Sequence, residues 1–83
     1  MTVDVARLAR LLAVLGLYGY GITIRYVHKG QRSGGLGSDE TYEADGWEVG
    51  RLNGNGGDEL ALDPDLNTAL DLALKITSHW GDD

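Results

Sequence analysis

The sequence contains no cysteine, and this absence removes two common ways of stabilising a small domain. Neither disulfide bonds nor thiolate-bound zinc can hold the chain together, and two histidines do not predict a structural metal site. The absence of cysteine fits a reducing compartment, and we expect a cytoplasmic protein. The 83 residues suffice for a single domain, residues 1–83, that must be stabilised by packing of aliphatic and aromatic side chains.

No hydrophobic run is long enough to cross a membrane. The longest uncharged stretch extends from Leu11 to Ile24, between Arg10 and Arg25, whereas a membrane-spanning helix needs about 20 apolar residues. Tyrosines and glycines at residues 18–21 interrupt the stretch. We therefore expect a helix that leads directly into a strand, and no membrane partner.

Basic residues are also scarce, with 7 Lys and Arg against 13 Asp and Glu, which gives a net charge of −6. The charge is divided unevenly. Residues 1–38 carry a net charge of +4, and residues 39–83 carry −10. An acidic protein is repelled by nucleic acid and attracted to basic surfaces, so we expect no direct nucleic-acid partner. Solubility alone is the alternative role for this charge.

Apolar residues at spacings of three and four predict a first helix over residues 3–17. Thr2 or Asp4 can cap its N-terminus, because a side-chain oxygen accepts a hydrogen bond from a free backbone N–H. Gly16 or Gly19 can end it, because glycine accepts the left-handed conformation that follows a helix.

The last helix has the clearest signals. Asp63 is predicted to be its N-cap, Pro64 its first helical residue, and Gly81 its end, which leaves residues 81–83 as a loose tail. The predicted buried stripe consists of Leu66, Ala69, Leu70, Ala73, Leu74, Thr77 and Trp80.

Alternating apolar residues predict a strand over residues 20–28, and apolar residues on both of its faces favour a position inside the sheet. Asp45-Gly46 is typical of a two-residue type I′ hairpin turn between residues 42–44 and 47–49. In that register Glu43 lies opposite Glu48. Like charges in opposite positions are destabilising, and folding does not require them.

These elements predict an α+β fold: a helix, a three-stranded antiparallel meander with its hairpin at Asp45-Gly46, and a helix. Both helices are expected to pack on one face of the sheet, because two apolar helix stripes must be buried. The strand order is left open.

Two glycine-rich segments, residues 34–41 and 53–60, resemble the calcium-binding nonapeptide of RTX repeats. Thr41 replaces the aliphatic residue in the first segment, and Asn53 replaces the first glycine in the second. The segments are not contiguous, although such repeats bind calcium when several of them stack. Chance similarity in a chain with 13 glycines is the other explanation. We expect no metal and no cofactor.

Catalytic groups are few. The candidate nucleophiles are Ser33, Ser38 and Ser78, and the candidate bases are His28 and His79. The first two serines lie in a predicted glycine loop, and Ser78 and His79 lie at a predicted helix end. No nucleophile, base and orienting group are predicted to converge, so we expect a protein without enzymatic activity.

The strongest functional signal is a set of acids in the second half of the chain. On the predicted hairpin, Glu43, Asp45 and Glu48 form a negative row on a rigid support. Such a row suits a positively charged nucleic-acid-binding surface. The complete set of candidate partner-binding residues is Asp39, Glu40, Glu43, Asp45, Glu48, Asp58 and Glu59.

The size, charge and compact α+β build resemble those of small phage-encoded inhibitors of bacterial defence, particularly anti-CRISPR proteins. This resemblance rests on overall properties and not on a motif. It implies a DNA mimic in the bacterial cytoplasm that occupies a basic surface of a host defence complex. Glu43, Asp45 and Glu48 are expected to form the central contact. The remaining four acids are expected at its rim.

Two alternatives remain open. The protein could be a small interaction module, such as a homodimer joined through strand edges or through the first helix. It could also bind nucleic acid through the basic residues of its first half, if they gather on one face. These are Arg7, Arg10, Arg25, Lys29 and Arg32.

Overall fold

A computed structural model describes residues 2–32, 40–54 and 56–80 of the chain. It contains five elements: α1 (Val5–Leu17), β1 (Gly21–Val27), β2 (Gly46–Asn53), β3 (Gly56–Asp63) and α2 (Leu66–Thr77). The strands form one antiparallel sheet in the order β1-β2-β3. The predicted α+β fold in helix–sheet–helix order is therefore confirmed. In the described part of the chain, no helix has the length and apolar character needed to cross a membrane.

Helix α1 uses two of the predicted signals. The side chain of Asp4 is the N-cap and accepts a hydrogen bond of 3.1 Å from the backbone N–H of Arg7. At the other end, Tyr18 is the C-cap, and Gly19 follows with a φ of +78°. This left-handed conformation is favourable for glycine, and it turns the chain from the helix towards β1.

Helix α2 begins two residues later than predicted. Its N-cap is Asp65, whose carboxylate accepts hydrogen bonds from the backbone N–H of Thr68 at 2.9 Å and from its hydroxyl at 2.8 Å. Asp63 instead pairs with Trp47 as the last residue of β3. This pairing holds Asp63 in the sheet, so the next suitable capping residue, Asp65, begins the helix. The helix ends at Thr77, and Gly81 lies outside the described residues.

The predicted hairpin at Asp45-Gly46 is wrong. Gly46 is the first residue of β2 and pairs with Val27 of β1, and it lacks the positive φ that a type I′ turn requires. A Cβ on Gly46 would lie 3.0 Å from the backbone of Asp63, so glycine is needed here for a close approach between strands. The hairpin instead joins β2 to β3, in which Asn53 pairs with Gly56.

The correct register also separates the two acids that were predicted to oppose each other. Glu48 lies opposite Arg25 on one side and Leu62 on the other. Glu43 lies outside the strands. The opposition of like charges is therefore absent. Strand β1 lies at an edge of the sheet, although its apolar faces predicted an interior position.

The hydrophobic core lies between the helices and one face of the sheet. It contains Leu11, Leu15, Val49, Ala61, Leu66, Ala69, Leu70 and Ala73. Val49 and Ala61 are partners across β2 and β3, and they define the helix-facing side of the sheet. We call the opposite side the open face. Its side chains include those of Thr23, Arg25, Val27, Glu48, Leu52, Glu59 and Leu62.

Gly50 lies where the β2–β3 register shifts, and atoms of both neighbouring strands approach it closely. A Cβ at this position would lie 2.6 Å from the carbonyl oxygen of Asp58 and 2.8 Å from Oγ1 of Thr23. We expect Gly50→Ala to lower the free energy of unfolding by about 1–3 kcal/mol, because the added methyl group forces the strands apart. Urea denaturation measures this change.

Gly16→Ala is the matched control, because no atom lies within 4 Å of a Cβ built at that exposed helical position. It should leave stability unchanged or raise it by up to about 1 kcal/mol. If Gly50→Ala unfolds at the same urea concentration as the parent, the close strand approach does not constrain residue 50.

Candidate partner-binding site

The open face is organised around Glu48, which is 8% exposed in the central strand. Arg25 Nε donates a hydrogen bond of 2.9 Å to Glu48 Oε1, and the Tyr42 hydroxyl donates to the other carboxylate oxygen. Arg25 Nη2 in turn donates a bond of 2.7 Å to the Tyr42 oxygen. A buried carboxylate needs such partners, because transferring its charge out of water without new hydrogen bonds costs free energy.

The three groups form a closed set of hydrogen bonds. Burial, followed by the hydrogen bond to Glu48, raises the pKa of Tyr42, so its hydroxyl stays protonated and can donate at neutral pH. The hydrogen bond to Glu48 is also the main cause of the raised pKa of Arg25. Glu48 is therefore a structural carboxylate that is held in place by Arg25 and Tyr42.

Residues 40–45, which we call the Tyr42 segment, are held at the end of β1 by backbone hydrogen bonds. The N–H of Tyr42 donates to the carbonyl of Gln31, and the N–H of Gly30 donates to the carbonyl of Tyr42, both at 2.9 Å. The Lys29 N–H donates a bond of 2.6 Å to the Asp45 carboxylate. These bonds place Tyr42 beside Glu48.

The Tyr42 segment and the sheet enclose an acidic cleft of about 440 Å³. The cleft is lined by Glu40, Thr41, Tyr42, Glu43, Glu48, Glu59 and Leu62. A second cleft of about 230 Å³ shares Glu48 and is otherwise lined by Thr23, Arg25, Leu52, Gly57 and Asp58. The helices therefore leave uncovered a surface that combines carboxylates with leucine side chains.

Four of the seven predicted acids meet in the acidic cleft. Glu40 and Glu43 come from the Tyr42 segment, Glu48 from β2 and Glu59 from β3. Glu40, Glu43 and Glu59 are exposed, whereas Glu48 is buried. The three exposed acids are thus the ones that a partner could reach.

The other three predicted acids are placed differently. Asp58 lines the second cleft and forms an ion pair of 3.2 Å with Arg51. Asp45 binds the backbone of Lys29, and Asp39 lies outside the described residues. The predicted row of Glu43, Asp45 and Glu48 does not form, because it depended on the incorrect hairpin.

The acidic cleft is already crowded with negative charge. Burial, the charge of Glu48 and a hydrogen bond with Glu48 together raise the pKa of Glu59, in that order of importance. Arg25 opposes this effect only weakly. A cation that enters the cleft would relieve the repulsion between these two carboxylates. Among the described residues, no group of three or more His, Asp or Glu side chains is arranged to hold a metal ion.

Two important residues of this site were missed by sequence reasoning. Tyr42 was assigned to a hairpin, and Arg25 was considered only as part of a basic set. The contacts of Tyr42 and Arg25 with Glu48 depend on where the Tyr42 segment lies in the folded chain. No local pattern predicts that position, although a lone acid within a strand is a signal that a buried partner is needed.

The basic residues proposed for nucleic-acid binding are partly neutralised within the chain. Arg7 pairs with Asp4 at 2.9 Å and lies 3.5 Å from Asp71. Arg25 pairs with Glu48. Two of the five basic residues of the first half are therefore committed to internal ion pairs, which weakens the case for a basic nucleic-acid-binding face.

The raised pKa of Glu59 predicts a pH-dependent effect of Glu59→Gln. A carboxyl group with a raised folded-state pKa stabilises the fold below its unfolded value of 4.5, and this stabilisation is lost as pH rises through the folded value. Glutamine imitates the protonated form. We expect Glu59→Gln to be more stable than the parent at pH 7, by less than about 1 kcal/mol because the group is exposed.

The difference should disappear near pH 3, where the parent carboxyl group is also protonated. Thermal unfolding at both pH values measures this, and the low-pH comparison is the control for effects of the amide itself. An equal difference at both pH values would show that ionisation of Glu59 is not its cause.

Comparisons with protein-family models, with curated proteins and with solved structures find no match. The function must therefore be inferred from the chemistry of the open face.

Proposed function

We propose that the protein is a non-enzymatic inhibitor that binds another protein through its acidic cleft. The partner would offer a basic surface that otherwise binds nucleic acid, and occupation of that surface would exclude the nucleic acid. The observation that supports this most directly is the convergence of Glu40, Glu43 and Glu59, with Glu48 beneath them, on the sheet face that the helices leave uncovered.

The charge distribution favours a cationic ligand. Arg25 pairs with Glu48 at 2.9 Å, and the exposed carboxylates of Glu43 and Glu59 line the same cleft. Burial is the main cause of the raised pKa of Glu59 and the charge of Glu48 is the second, and a bound Lys or Arg side chain would offset the repulsion between these two carboxylates. Complementary charge of this kind also increases the association rate and makes binding weaken with salt.

The surface also offers apolar area. Leu62 is partly buried in the acidic cleft, and Leu52 is exposed in the second cleft. Protein interfaces combine a dry apolar centre with a polar rim, whereas a purely acidic surface would favour loose ion binding. A folded protein with basic and apolar side chains therefore fits the open face better than a small cation does.

The specific form of the proposal is an anti-CRISPR-like, phage-encoded inhibitor of a bacterial defence complex. Its small size, acidic charge and α+β build support this form, and a bacterial host cytoplasm would be its place of action. Glu48 is not a contact residue in this proposal, because its carboxylate is occupied by Arg25 and Tyr42.

The test is charge reversal at the exposed rim of the cleft. The double variant Glu40→Lys/Glu43→Lys should lose most of its binding to the partner while remaining folded, because both side chains are exposed. Asp82→Lys/Asp83→Lys changes the net charge equally at the end of the chain and is the matched control. It should bind as the parent does.

The tagged parent protein is first used to capture its partner from bacterial lysate, with and without nuclease. The purified partner is then bound to labelled DNA, and the protein is added in increasing amounts. The parent and the control variant should displace the DNA, and the cleft variant should require at least about 10-fold more protein, which corresponds to about 1.4 kcal/mol. Equal displacement by both variants, or capture of nucleic acid alone, would contradict the proposal.

A further inference from the structure

Strand β1 has the composition of an interior strand but lies at an edge of the sheet. It pairs with β2 on one side, and no other described strand pairs with it. On its helix-facing side, Ile24 is 36% exposed and Tyr26 is 44% exposed. An edge strand with free backbone groups and uncovered apolar side chains is a template for pairing with another strand.

The two edges of the sheet differ in charge. Strand β3 carries Asp58, Glu59 and Asp63, so two copies of this edge would repel each other. Strand β1 contains no acid, and Arg25 is its only charged residue. It also lacks proline and bulges, which are the other common protections of an edge. The acidic edge is thus protected against pairing, and the β1 edge is not.

Helix α1 extends the apolar surface beside this edge. Helix α2 packs over β2 and β3, and α1 packs over β1. Arg7 of α1 points towards α2, because it lies 3.5 Å from Asp71. At 100° per residue, Val5 and Leu12 lie on the opposite side of α1, and they are 69% and 46% exposed. We call Val5, Leu12, Ile24 and Tyr26 the β1-edge surface.

We propose that the β1-edge surface binds a second copy of the chain, with the two β1 strands paired antiparallel about Ile24. In this register Ile24 lies opposite Ile24 of the second copy, and Tyr26 lies opposite Ile22 of the second copy. Both pairs fall on the helix-facing side, where aromatic and β-branched cross-strand pairs are stabilising.

This register pairs all seven residues of β1, because Ile24 is the midpoint of the strand, and the charge of the strand is compatible with it. Arg25 lies opposite Thr23 of the second copy on the open side, so no like charges meet. A two-fold axis at Arg25 would instead place the two guanidinium groups against each other. The side chains of β1 are therefore complementary to those of a second β1 strand paired about Ile24. A strand that binds an unrelated partner does not need this self-complementarity.

The proposed pairing has two-fold symmetry, so it joins two copies and leaves no second β1 edge for further copies. Pairing about a two-fold axis perpendicular to the sheet gives six antiparallel strands, with all four helices on one side and both open faces on the other. Its two outer edges are the acidic β3 strands, which resist further addition. The expected product is a dimer and not a filament.

Sedimentation velocity over a range of protein concentrations tests the proposal. The parent should form a dimer. Ile24→Lys should raise the dimer dissociation constant by at least about 100-fold, because apolar contact is lost and two lysines meet at the axis. Leu52→Lys is the matched control, since Leu52 is a similarly exposed apolar residue of the central strand. It should dimerise as the parent does.

A single introduced cysteine locates the interface without depending on the stability of Ile24→Lys. The chain has no native cysteine, so only the introduced thiol can form a disulfide. Ile24→Cys should form a covalent dimer on mild oxidation, because opposite residues of an antiparallel pair have a Cα separation that a disulfide can bridge. Leu52→Cys should remain largely monomeric on denaturing gels. A monomeric parent, or equal cross-linking at both positions, would overturn the proposal.

Discussion

A carboxylate in the middle of a sheet must be paired, and the pairing of Glu48 determines how the open face is built. Its partners come from two other parts of the chain, because Arg25 belongs to β1 and Tyr42 to the connection between β1 and β2. Burying this one charge therefore draws the Tyr42 segment onto the sheet. The cleft exists because that segment stands beside the strands, and the raised pKa of Glu59 has its second-largest cause in the same carboxylate.

The sequence was sufficient to predict those parts of the fold that depend on neighbouring residues. Asp4 and Gly19 act within one helical turn of the residues they cap, so their roles could be inferred without knowledge of the tertiary structure. The start of α2 was misplaced by two residues because Asp63 and Asp65 are equally suitable caps. The pairing of Asp63 with Trp47 decides between them, and this contact is not local.

The hairpin could not be located for a related reason. Asp45-Gly46 has the composition of a tight turn, but Gly46 is glycine because the backbone of Asp63 approaches it closely. Glycine occurs both where two backbones approach closely and where φ is positive, so its presence in a sequence does not show which of the two is the reason. Four of the seven predicted acids line the cleft, whereas their predicted arrangement depended on the hairpin. Glu48 was consequently predicted at the surface, although it lies beneath the exposed acids.

Strand order separates the two surfaces that we propose. The acids of the cleft belong to β2, β3 and the Tyr42 segment, whereas the self-pairing edge belongs to β1. In the proposed dimer the two β3 strands are five strand spacings of about 4.8 Å apart, roughly 24 Å in total, which is well beyond the Debye length of about 8 Å at physiological ionic strength. Repulsion between the acidic faces of two copies is therefore largely screened. Salt should then favour self-association and weaken the binding of a basic partner, because the first is mainly apolar and the second mainly electrostatic. The two surfaces can function together, and their opposite responses to salt distinguish them.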